Sequence, residues 1–532
     1  MVAAAHPLAV EVGLEILRRG GHAIDAAVAV QMMLGFIEAP ETGIGGGGFL
    51  LHRDAVRGTM EFFDGRETAP AAARPDRFML FGLPAPRWLA IPSGRSVGVP
   101  GLVAMLDQAH ARHGRLPWGE LLEPAIRAAE NGVPMPARLA AESRGDFSLR
   151  LFADTRRTFV GPAGATAPIL RNPDYAATLR ALARQGPRAF YEGEIATALV
   201  ERAAARRPWR GDLRSTDLRN YQALEREPLC GPYREWTVCS APPPSSGGIA
   251  ILQILGMLQH FPLAELGPDS VEAVHLMVEA HRLAFADREF HVGDPAFADV
   301  PTGALLDAAY LALRADLIDP QRAMRAAPPG DPARTVARHA APAMPAAPAG
   351  GTSHFSIVDA DGNAVSLTSS IEAPFGSRMT TGGFVLNNQL TDFSFAPRAG
   401  DREHPNAVAP GKRPRSSMTP VIVMDDSGEL RLVIGARGGP RIIGYVLKTL
   451  IGVLDWDLGI QEAIALPNFA HVSGRLELER GSALAARTAE FQARGHTVRQ
   501  AKLASGLHGI EPAATGWRGG ADPRLEGVAR GD

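Results

Sequence analysis

The sequence has 532 residues, of which 45% are apolar and 21% are charged, and its formal net charge is −2. These values are ordinary for a globular protein and exclude the basic balance of proteins that bind nucleic acid or anionic membranes. No run of 18 apolar residues and no signal peptide is present, so we expect no membrane span and a cytoplasmic protein by default, or a periplasmic or secreted one if an upstream segment is missing.

The first part of the chain is predicted to be helix-rich. Residues 7–39 read as two apolar helices, and Gly20-Gly21 ends the first of them. A glycine loop at 45–48 then leads into a short strand at 49–52. The other predicted elements of this part are a strand at 60–64, helices at 118–131 and 270–288, and a strand at 236–240.

The second part of the chain is predicted to be strand-rich. It is preceded by residues 326–350, a Pro/Ala-rich stretch that cannot build a core and that we expect to be flexible. Strands at 353–359 and 364–369 flank a hairpin turn at 361–363. Further strands are predicted at 383–386, 421–424 and 430–434, and helices at 440–452, 459–465 and 487–495. Helices and antiparallel strands without βαβ regularity indicate a layered α+β architecture.

Metal and disulfide chemistry is not indicated. The two cysteines, Cys230 and Cys239, lack the spacing of a zinc site and are too few for a disulfide scaffold, so we expect two structural thiols. His275 and His281 lie six positions apart on one predicted helix, which is a poor spacing for a metal site. We therefore expect no metal and no cofactor.

The stretch from Gly350 to Asp359 carries the strongest chemical signal. Two glycines permit a strained backbone, and Thr352 then opens a buried type of strand. This suits an N→O acyl shift, in which the Thr352 hydroxyl attacks the Gly351 carbonyl and the resulting ester hydrolyses. Thr352 would become a new N-terminus, whose α-amine, with a pKa of about 7.7–8, can serve as general base for its own hydroxyl. Read alone, Thr352 is more simply a β-branched residue that starts a strand.

His354 also lies close to Thr352 in the sequence. We expect it to be structural or involved in the processing geometry, because adjacent side chains of a strand face opposite sides.

Several separated motifs together resemble the γ-glutamyltransferase family of N-terminal-nucleophile hydrolases. They are the processing stretch around Thr352 and the segments 64–70, 387–394, 412–418 and 435–441, with further landmarks at 45–48 and 242–248. Their order and approximate spacing hold from near residue 6 to residue 524. The resemblance implies a four-layer α-β-β-α sandwich. It also implies a large fragment, 1–351, and a small fragment, 352–532, that stay associated as one joint fold.

The resemblance also implies roles for individual residues in binding a small-molecule γ-glutamyl substrate. It gives Arg66, Ser416 and Ser417 to the substrate carboxylate, Gln389 and Asp392 to its ammonium, Ser370 to the catalytic amine, and Gly438 and Gly439 to the oxyanion hole. These residue types suit the tasks. The planar fork of arginine binds a carboxylate through two parallel hydrogen bonds, and an oxyanion-hole donor is worth roughly 3–4 kcal/mol.

The sequence departs from the family pattern near the substrate. Glu372 stands where the family usually has an asparagine, so it either strengthens ammonium binding or serves a substrate of different shape. Residues 395–405 form a short segment without Tyr or Trp, where many members have a longer lid with an aromatic residue. An open pocket favours hydrolysis with broad acceptors. Arg437, beside the glycine pair, either adds positive charge near the oxyanion or lies on the surface.

The sequence leaves four functions to compare. The first is a γ-glutamyl hydrolase or transferase acting on glutathione-like compounds. The second is an acylase that removes a glutaryl-type side chain from a β-lactam nucleus, for which Asp392 would be unhelpful because a glutaryl group has no ammonium. The third is a dinucleotide-binding oxidoreductase, since residues 43–48 fit G-x-G-x-x-G, but here a helix precedes the loop and a strand follows it. The fourth, a non-catalytic homologue, is disfavoured because Thr352 and Arg66 are present.

Overall fold

The computed structural model describes residues 1–160, 168–206, 209–332 and 350–532. Within these residues two antiparallel sheets, of seven and six strands, form the centre of the molecule. Their strands are, in chain order, β1 Val2–Ala4, β2 Gly47–Asp54, β3 Thr59–Gly65, β4 Leu224–Arg226, β5 Leu229–Tyr233, β6 Trp236–Ser240, β7 Gly351–Val358, β8 Ala364–Glu372, β9 Val421–Met424, β10 Leu430–Gly435, β11 His508–Pro512, β12 Trp517–Ala521 and β13 Val528–Arg530.

Both sheets combine strands from the two sides of residue 351. The first sheet has the order β13-β1-β7-β8-β2-β3-β4, and the second has the order β12-β11-β10-β9-β6-β5. In the first sheet β7 pairs with β1, and β8 pairs with β2. In the second sheet β9 pairs with β6. Segments far apart in the chain are therefore hydrogen bonded along their lengths.

Helices cover the outer face of each sheet. They are α1 Pro7–Arg18, α2 Ala23–Ile37, α3 Leu102–His113, α4 Trp118–Asn131, α5 Pro173–Gln185, α6 Gly247–Leu258, α7 Val271–His291, α8 Ile442–Leu454 and α9 Ile460–Ala465. Helix α2 contacts β7 and β8, and α3 contacts β2 and β3, whereas α6 contacts β5 and β6, and α9 contacts β11 and β12. The inner faces of the sheets meet where β7 and β8 pack on β10. The expected four-layer α-β-β-α sandwich is confirmed.

Shorter elements connect these layers. The remaining helices are Arg87–Ala90, Ala137–Gly145, Ala153–Phe159, Arg188–Tyr191, Gly193–Ala205, Ser215–Arg219, Leu263–Leu266, Thr302–Leu305, Ala308–Ala315, Ala483–Ala486 and Thr488–Ala493. Strands Phe469–Val472, Arg475–Glu479 and Val498–Ala501 form a small separate sheet. Two-residue strands pair as Met79–Leu80 with Leu83–Pro84, Val133–Pro134 with Ile169–Leu170, Thr380–Thr381 with Phe384–Val385, and Arg398–Ala399 with Arg402–Glu403.

The apolar pattern of the sequence explains the helical layers. Every residue of α2 is buried, as its unbroken apolar run predicts for a helix between other layers. Its first turn is capped by His22, whose Nδ1 accepts a hydrogen bond from the Ile24 nitrogen at 3.1 Å. No helix in the described parts of the chain is long and apolar enough to cross a membrane.

The expectation of two free thiols was wrong. Cys230 and Cys239 lie directly opposite each other on β5 and β6 and form a disulfide. Their spacing of nine residues suits a β-hairpin cross-link, which the comparison with zinc motifs and disulfide scaffolds did not consider. Most of the stretch predicted to be flexible, residues 333–349, lies outside the described residues.

Candidate active site

Thr352 lies at the start of β7, in the middle of the first sheet. It is buried, with 3% of its surface exposed, and it faces Ser370 of the neighbouring strand β8. The register of β7 on β8 shifts between Gly351 and Thr352, which marks an irregularity in the ladder. Such irregularities redirect backbone groups away from the regular pairing. The Thr352 nitrogen accordingly donates its hydrogen bond to a side chain, described below.

Ser370 links the Thr352 hydroxyl to the Gly351 carbonyl. Its Oγ accepts a hydrogen bond from Thr352 Oγ1 at 3.2 Å and donates one to the Gly351 oxygen at 2.7 Å. It also accepts from the Glu372 nitrogen at 3.0 Å. A hydroxyl can donate one hydrogen bond and accept two, so all the hydrogen-bonding capacity of Ser370 is taken up beside the bond between Gly351 and Thr352.

One residue of the glycine pair, Gly439, lies close to Gly350, just before the bond between Gly351 and Thr352. A Cβ placed on Gly350 would stand 3.4 Å from both the nitrogen and the Cα of Gly439. Gly438 and Gly439 have φ values of +121° and +61°, in the region that side chains strongly disfavour. This backbone path brings Gly439 beside the segment that precedes Thr352.

Glu41 is a site residue that the sequence analysis missed. Its Oε2 accepts a hydrogen bond from the Thr352 nitrogen at 2.9 Å, and only 1% of the residue is exposed. It stands four residues before the glycine loop at 45–48 and four residues after the end of the apolar helix α2. A buried acidic residue in such a segment was the available signal, but its partner on β7 is 311 positions away.

Arg66 and Asp392 form the charged centre of the site. Arg66 Nη2 donates to Asp392 Oδ2 at 2.6 Å, and the arginine is 1% exposed. Its Nε and Nη2 also donate to the backbone oxygens of Pro414 and Arg415, each at 3.0 Å. Gln389 Nε2 donates to Asp392 Oδ2 at 2.7 Å. The side chain of Asp392 is 27% exposed, so this carboxylate lies at the open side of the pair.

Ser416 and Ser417 directly follow the backbone oxygens that hold Arg66. Ser417 Oγ accepts from Arg288 Nη2 at 3.0 Å. Ser416 Oγ accepts from the Met418 nitrogen, also at 3.0 Å. The two hydroxyls are thus oriented by neighbours on the same side of the site as Arg66.

Glu372 connects the cleavage position to this charged centre. It lies opposite Gly351 in the register of β7 and β8, and its φ of +79° is a strained conformation for a residue with a side chain. Asn388 Nδ2 donates to Glu372 Oε2, and Arg87 Nη1 lies 3.9 Å from Oε1. Burial and the nearby Asp392 charge raise the pKa of Glu372 to about 7, which Arg87 opposes. This carboxyl therefore titrates near neutral pH.

Arg437 does not extend free beside the glycine pair. Its Nη2 lies 2.7 Å from Glu41 Oε1, so its charge is directed to Glu41. The surface position expected as one alternative is wrong, because the Arg437 side chain is only 13% exposed. The other alternative, a positive charge near the oxyanion, stays a prediction. The ion pair joins two segments that the sequence does not relate.

His354 fits the expected structural role, but the expectation that it faces away from Thr352 was wrong. Thr352 and His354 are two positions apart on β7 and therefore share a face of the sheet. His354 Nδ1 and Nε2 instead hydrogen bond to Thr368 Oγ1 at 2.9 Å and Ser356 Oγ at 3.1 Å. Burial holds the pKa of His354 well below its usual value. Both ring nitrogens are occupied by neighbours other than Thr352.

Folding also brings together residue types that can hold a metal ion. Within the described parts of the chain these clusters are His22, His52 and His113, and His275, Glu279 and His496. The spacing of His275 from His281 on one helix did not indicate a metal site. Across the fold, however, His496 Nε2 lies 2.7 Å from His275 Nδ1. Neither cluster includes a residue of the Thr352 site.

The segment predicted to be a short lid forms a small hairpin. Its strands are Arg398–Ala399 and Arg402–Glu403. Phe395, just before the hairpin, stacks on Phe78 with ring centroids 4.7 Å apart, and the Arg87 guanidinium lies over the Phe395 ring. This aromatic ring therefore packs beside Arg87, which itself contacts Glu372.

Comparisons with known proteins agree on one family. The family model described as Gamma-glutamyltranspeptidase matches residues 9–531. The glutathione hydrolase proenzyme of Bacillus subtilis (strain 168) is 36% identical over 477 residues, which cover 88% of this chain and 80% of that protein. The glutathione hydrolase proenzyme of Escherichia coli (strain K12) is 36% identical over 499 residues, covering 90% and 83%. A solved structure of the cephalosporin acylase from Bacillus halodurans superposes with a TM-score of 0.85 at 27% identity, covering 99% of this chain and 94% of that one.

Proposed function

This chain belongs to the γ-glutamyltranspeptidase family, and from that membership we propose that it is a proenzyme that cuts itself before Thr352. The mature enzyme then uses Thr352 to cleave the γ-glutamyl amide bond of glutathione-like compounds. The observation that carries this proposal is the hydrogen-bonded chain from the Thr352 hydroxyl through Ser370 to the Gly351 oxygen. It supports the proposal, because a hydroxyl and a hydrogen-bonded carbonyl flank the same peptide bond.

Self-cleavage follows from this arrangement in two steps. Thr352 Oγ1 attacks the Gly351 carbonyl carbon, while the Ser370 hydroxyl donates to the carbonyl oxygen as negative charge develops there. The C–N bond then breaks, the nitrogen takes the proton that the hydroxyl gave up, and an ester links Gly351 to Thr352 Oγ1. Water hydrolyses the ester, which leaves a carboxylate on Gly351 and a free amine and hydroxyl on Thr352.

Turnover repeats this chemistry on a substrate. The α-amine of Thr352 accepts the hydroxyl proton as Oγ1 attacks the γ-glutamyl carbonyl, and the backbone at Gly438 and Gly439 stabilises the oxyanion. The proton passes to the leaving amine, and an acyl-enzyme remains. Water or an acceptor amine then attacks the ester and restores the hydroxyl. The short segment at 395–405 favours water and a broad range of acceptors.

The charged centre supplies recognition of the glutamyl head group. Its α-carboxylate would bind Arg66 together with Ser416 and Ser417, and its α-ammonium would bind Asp392 with Gln389 and Glu372. The pairing of Arg66 with Asp392 supports this proposal, because a zwitterion presents one opposite charge to each partner. A glutaryl group lacks the ammonium and would leave Asp392 without a partner.

The two fragments, 1–351 and 352–532, are proposed to remain one joint fold after the cut. The interleaved strands support this, since β7 and β8 of the small fragment lie between β1 and β2 of the large one. Separation would break hydrogen bonds along both edges of this pair.

A denaturing gel of the purified protein tests the proposal directly. We expect two bands, and sequencing of the smaller one should begin at Thr352. A single intact band from a preparation that still hydrolyses γ-glutamyl anilide would contradict the mechanism. Comparing γ-glutamyl with glutaryl anilides then separates the main proposal from a cephalosporin-type acylase, which would prefer the glutaryl compound.

Replacing Ser370 with alanine should slow self-cleavage by about 10²–10³-fold, the usual cost of losing one oxyanion donor. The threonine variant, Ser370→Thr, keeps the hydroxyl and should process within about tenfold of the wild-type rate. Time courses of the appearance of the small fragment measure both variants. Equal rates for the alanine and threonine variants would show that the Ser370 hydroxyl is dispensable.

A further inference from the structure

Glu41 makes a direct contact with the atom on which both proposed reactions depend. Its Oε2 lies 2.9 Å from the Thr352 nitrogen, which donates the hydrogen bond. In the precursor this nitrogen belongs to the bond that is cut, and in the mature enzyme it would be the general base. The backbone of Glu41 is held against β8, because its carbonyl oxygen accepts a hydrogen bond from the Ile371 nitrogen at 3.3 Å.

Two arginines from distant parts of the chain hold the other oxygen of the same carboxylate. Arg437 Nη2 lies 2.7 Å from Glu41 Oε1, and Arg138 Nη2 also pairs with Oε1. The side chains of both arginines are only 13% exposed, so these ion pairs are largely shielded from solvent. The two carboxylate oxygens thus have separate tasks: Oε1 is fixed by guanidinium groups, and Oε2 is aimed at the Thr352 nitrogen.

We propose that Glu41 positions the Thr352 nitrogen through both reactions, first as the amide of the bond to be cut and then as the free α-amine. Arg138 and Arg437 act through Glu41 by fixing its carboxylate. The inference rests on the proposed function, because it assumes that Thr352 is the nucleophile.

In the precursor, the contact would fix the plane of the scissile peptide. With the Thr352 N–H bound to Glu41, the carbonyl on the other side of the peptide bond points to Ser370, as observed. When the C–N bond breaks, the nitrogen gains a proton and becomes an amine. A carboxylate at hydrogen-bond distance stabilises the developing positive charge on that nitrogen.

In the cut enzyme, one N–H bond of the amine would stay on Glu41 and leave the lone pair free to face Oγ1. The same carboxylate would stabilise the protonated amine and so raise its pKa. The amine works as a base only when it is neutral, so activity is lost as the pH falls through that pKa. Removal of the Glu41 charge should therefore move the acid limb of the pH profile of kcat/KM to lower pH.

Other charges face Glu41 and set the size of this effect. Glu38 lies on the same loop and Glu142 on the helix that carries Arg138, while Glu526 accepts from the Arg138 nitrogen at 3.0 Å. Burial raises the pKa of Glu38 to about 7, and burial together with the Glu41 charge raises that of Glu142 to about 8. Burial also raises the pKa of Glu41, but the Arg138 charge opposes this rise.

The test compares Glu41→Gln with Glu38→Gln in the full-length protein. Glu38 is a matched control, because it contacts Arg138 at 3.3 Å and Ser353 Oγ at 3.4 Å, whereas the Thr352 nitrogen donates its hydrogen bond to Glu41. For Glu41→Gln we expect self-cleavage to slow at least about tenfold. In the protein that has been cut, the acid limb of the pH profile of kcat/KM should move down by about 1 pH unit. Both changes should be much smaller for Glu38→Gln. A third variant, Glu41→Asp, should recover part of the processing rate.

The outcomes separate the inference from the proposed function. If wild-type protein is not cut before Thr352, the proposed function itself fails. If wild-type protein is cut there but Glu41→Gln matches Glu38→Gln in processing rate and pH profile, only the role of Glu41 fails. A third outcome is that Glu41→Gln remains uncut. The inference is then supported if this variant unfolds thermally like the wild type and Glu41→Asp recovers part of the processing rate. It is overturned if Glu41→Gln is unfolded and Glu41→Asp recovers no processing.

Discussion

The Thr352→Ala variant should remain a single uncut chain and should lose hydrolysis of γ-glutamyl substrates by about 10⁵-fold or more. The methyl side chain has no oxygen to attack the Gly351 carbonyl, so no ester forms and no α-amine is released. Both reactions depend on the same atom and should disappear together. A gel and a γ-glutamyl anilide assay of the same preparation measure the two losses.

Thr352→Ser is the matched control for this experiment. It keeps a hydroxyl at hydrogen-bond distance from Ser370 and should still process and turn over, though more slowly. Residual cutting before position 352 in the alanine variant would mean that another group performs the attack. The proposed mechanism would then have to be abandoned.

The Asp392→Asn variant should lose at least about 2 kcal/mol of transition-state binding for γ-glutamyl substrates, or roughly 30-fold in kcat/KM. The amide keeps the shape of the carboxylate but removes the charge that would face the substrate ammonium. Glutaryl anilide has no ammonium, so its kcat/KM should change much less. The ratio of the two kcat/KM values is therefore the quantity to measure.

Asp401→Asn is a suitable control, since it makes the same change on an exposed residue of the nearby hairpin. It should leave the ratio unaltered. A variant Asp392→Asn that loses both activities equally would point to a displaced Arg66 guanidinium, because Asp392 also holds that side chain at 2.6 Å. Such a result would count against ammonium recognition by Asp392.

Local patterns in the sequence predicted the elements well. The strands at 236–240 and 421–424 have the predicted bounds. Each is a short run of apolar or alternating apolar and polar residues between clear turn residues, which is the pattern of a strand. The helix predicted at 270–288 extends to His291. The four layers themselves came from the family resemblance, since periodicity alone does not determine which strands pair.

The site was harder to predict wherever a contact joins distant segments. Arg66, Asp392 and Ser370 stand in recognisable motifs, and the structure brings each of them to the charged centre or the cleavage bond. Glu41 and Arg437 could not be paired from the sequence, because each lies in a loop whose direction depends on sheet packing. Cys230 and Cys239 were missed for a related reason, since the hairpin register that joins them was not considered.

The interleaving of strands across residue 351 changes how the molecule can be assembled. Before the cut, β7 and β8 are tethered to the strands that they will join, and folding is a unimolecular event. If the chain is cut as proposed, the same sheets would contain two separate polypeptides, and recovery from denaturation would become a second-order association that also competes with aggregation. The denatured cut enzyme should therefore refold less completely than the denatured precursor.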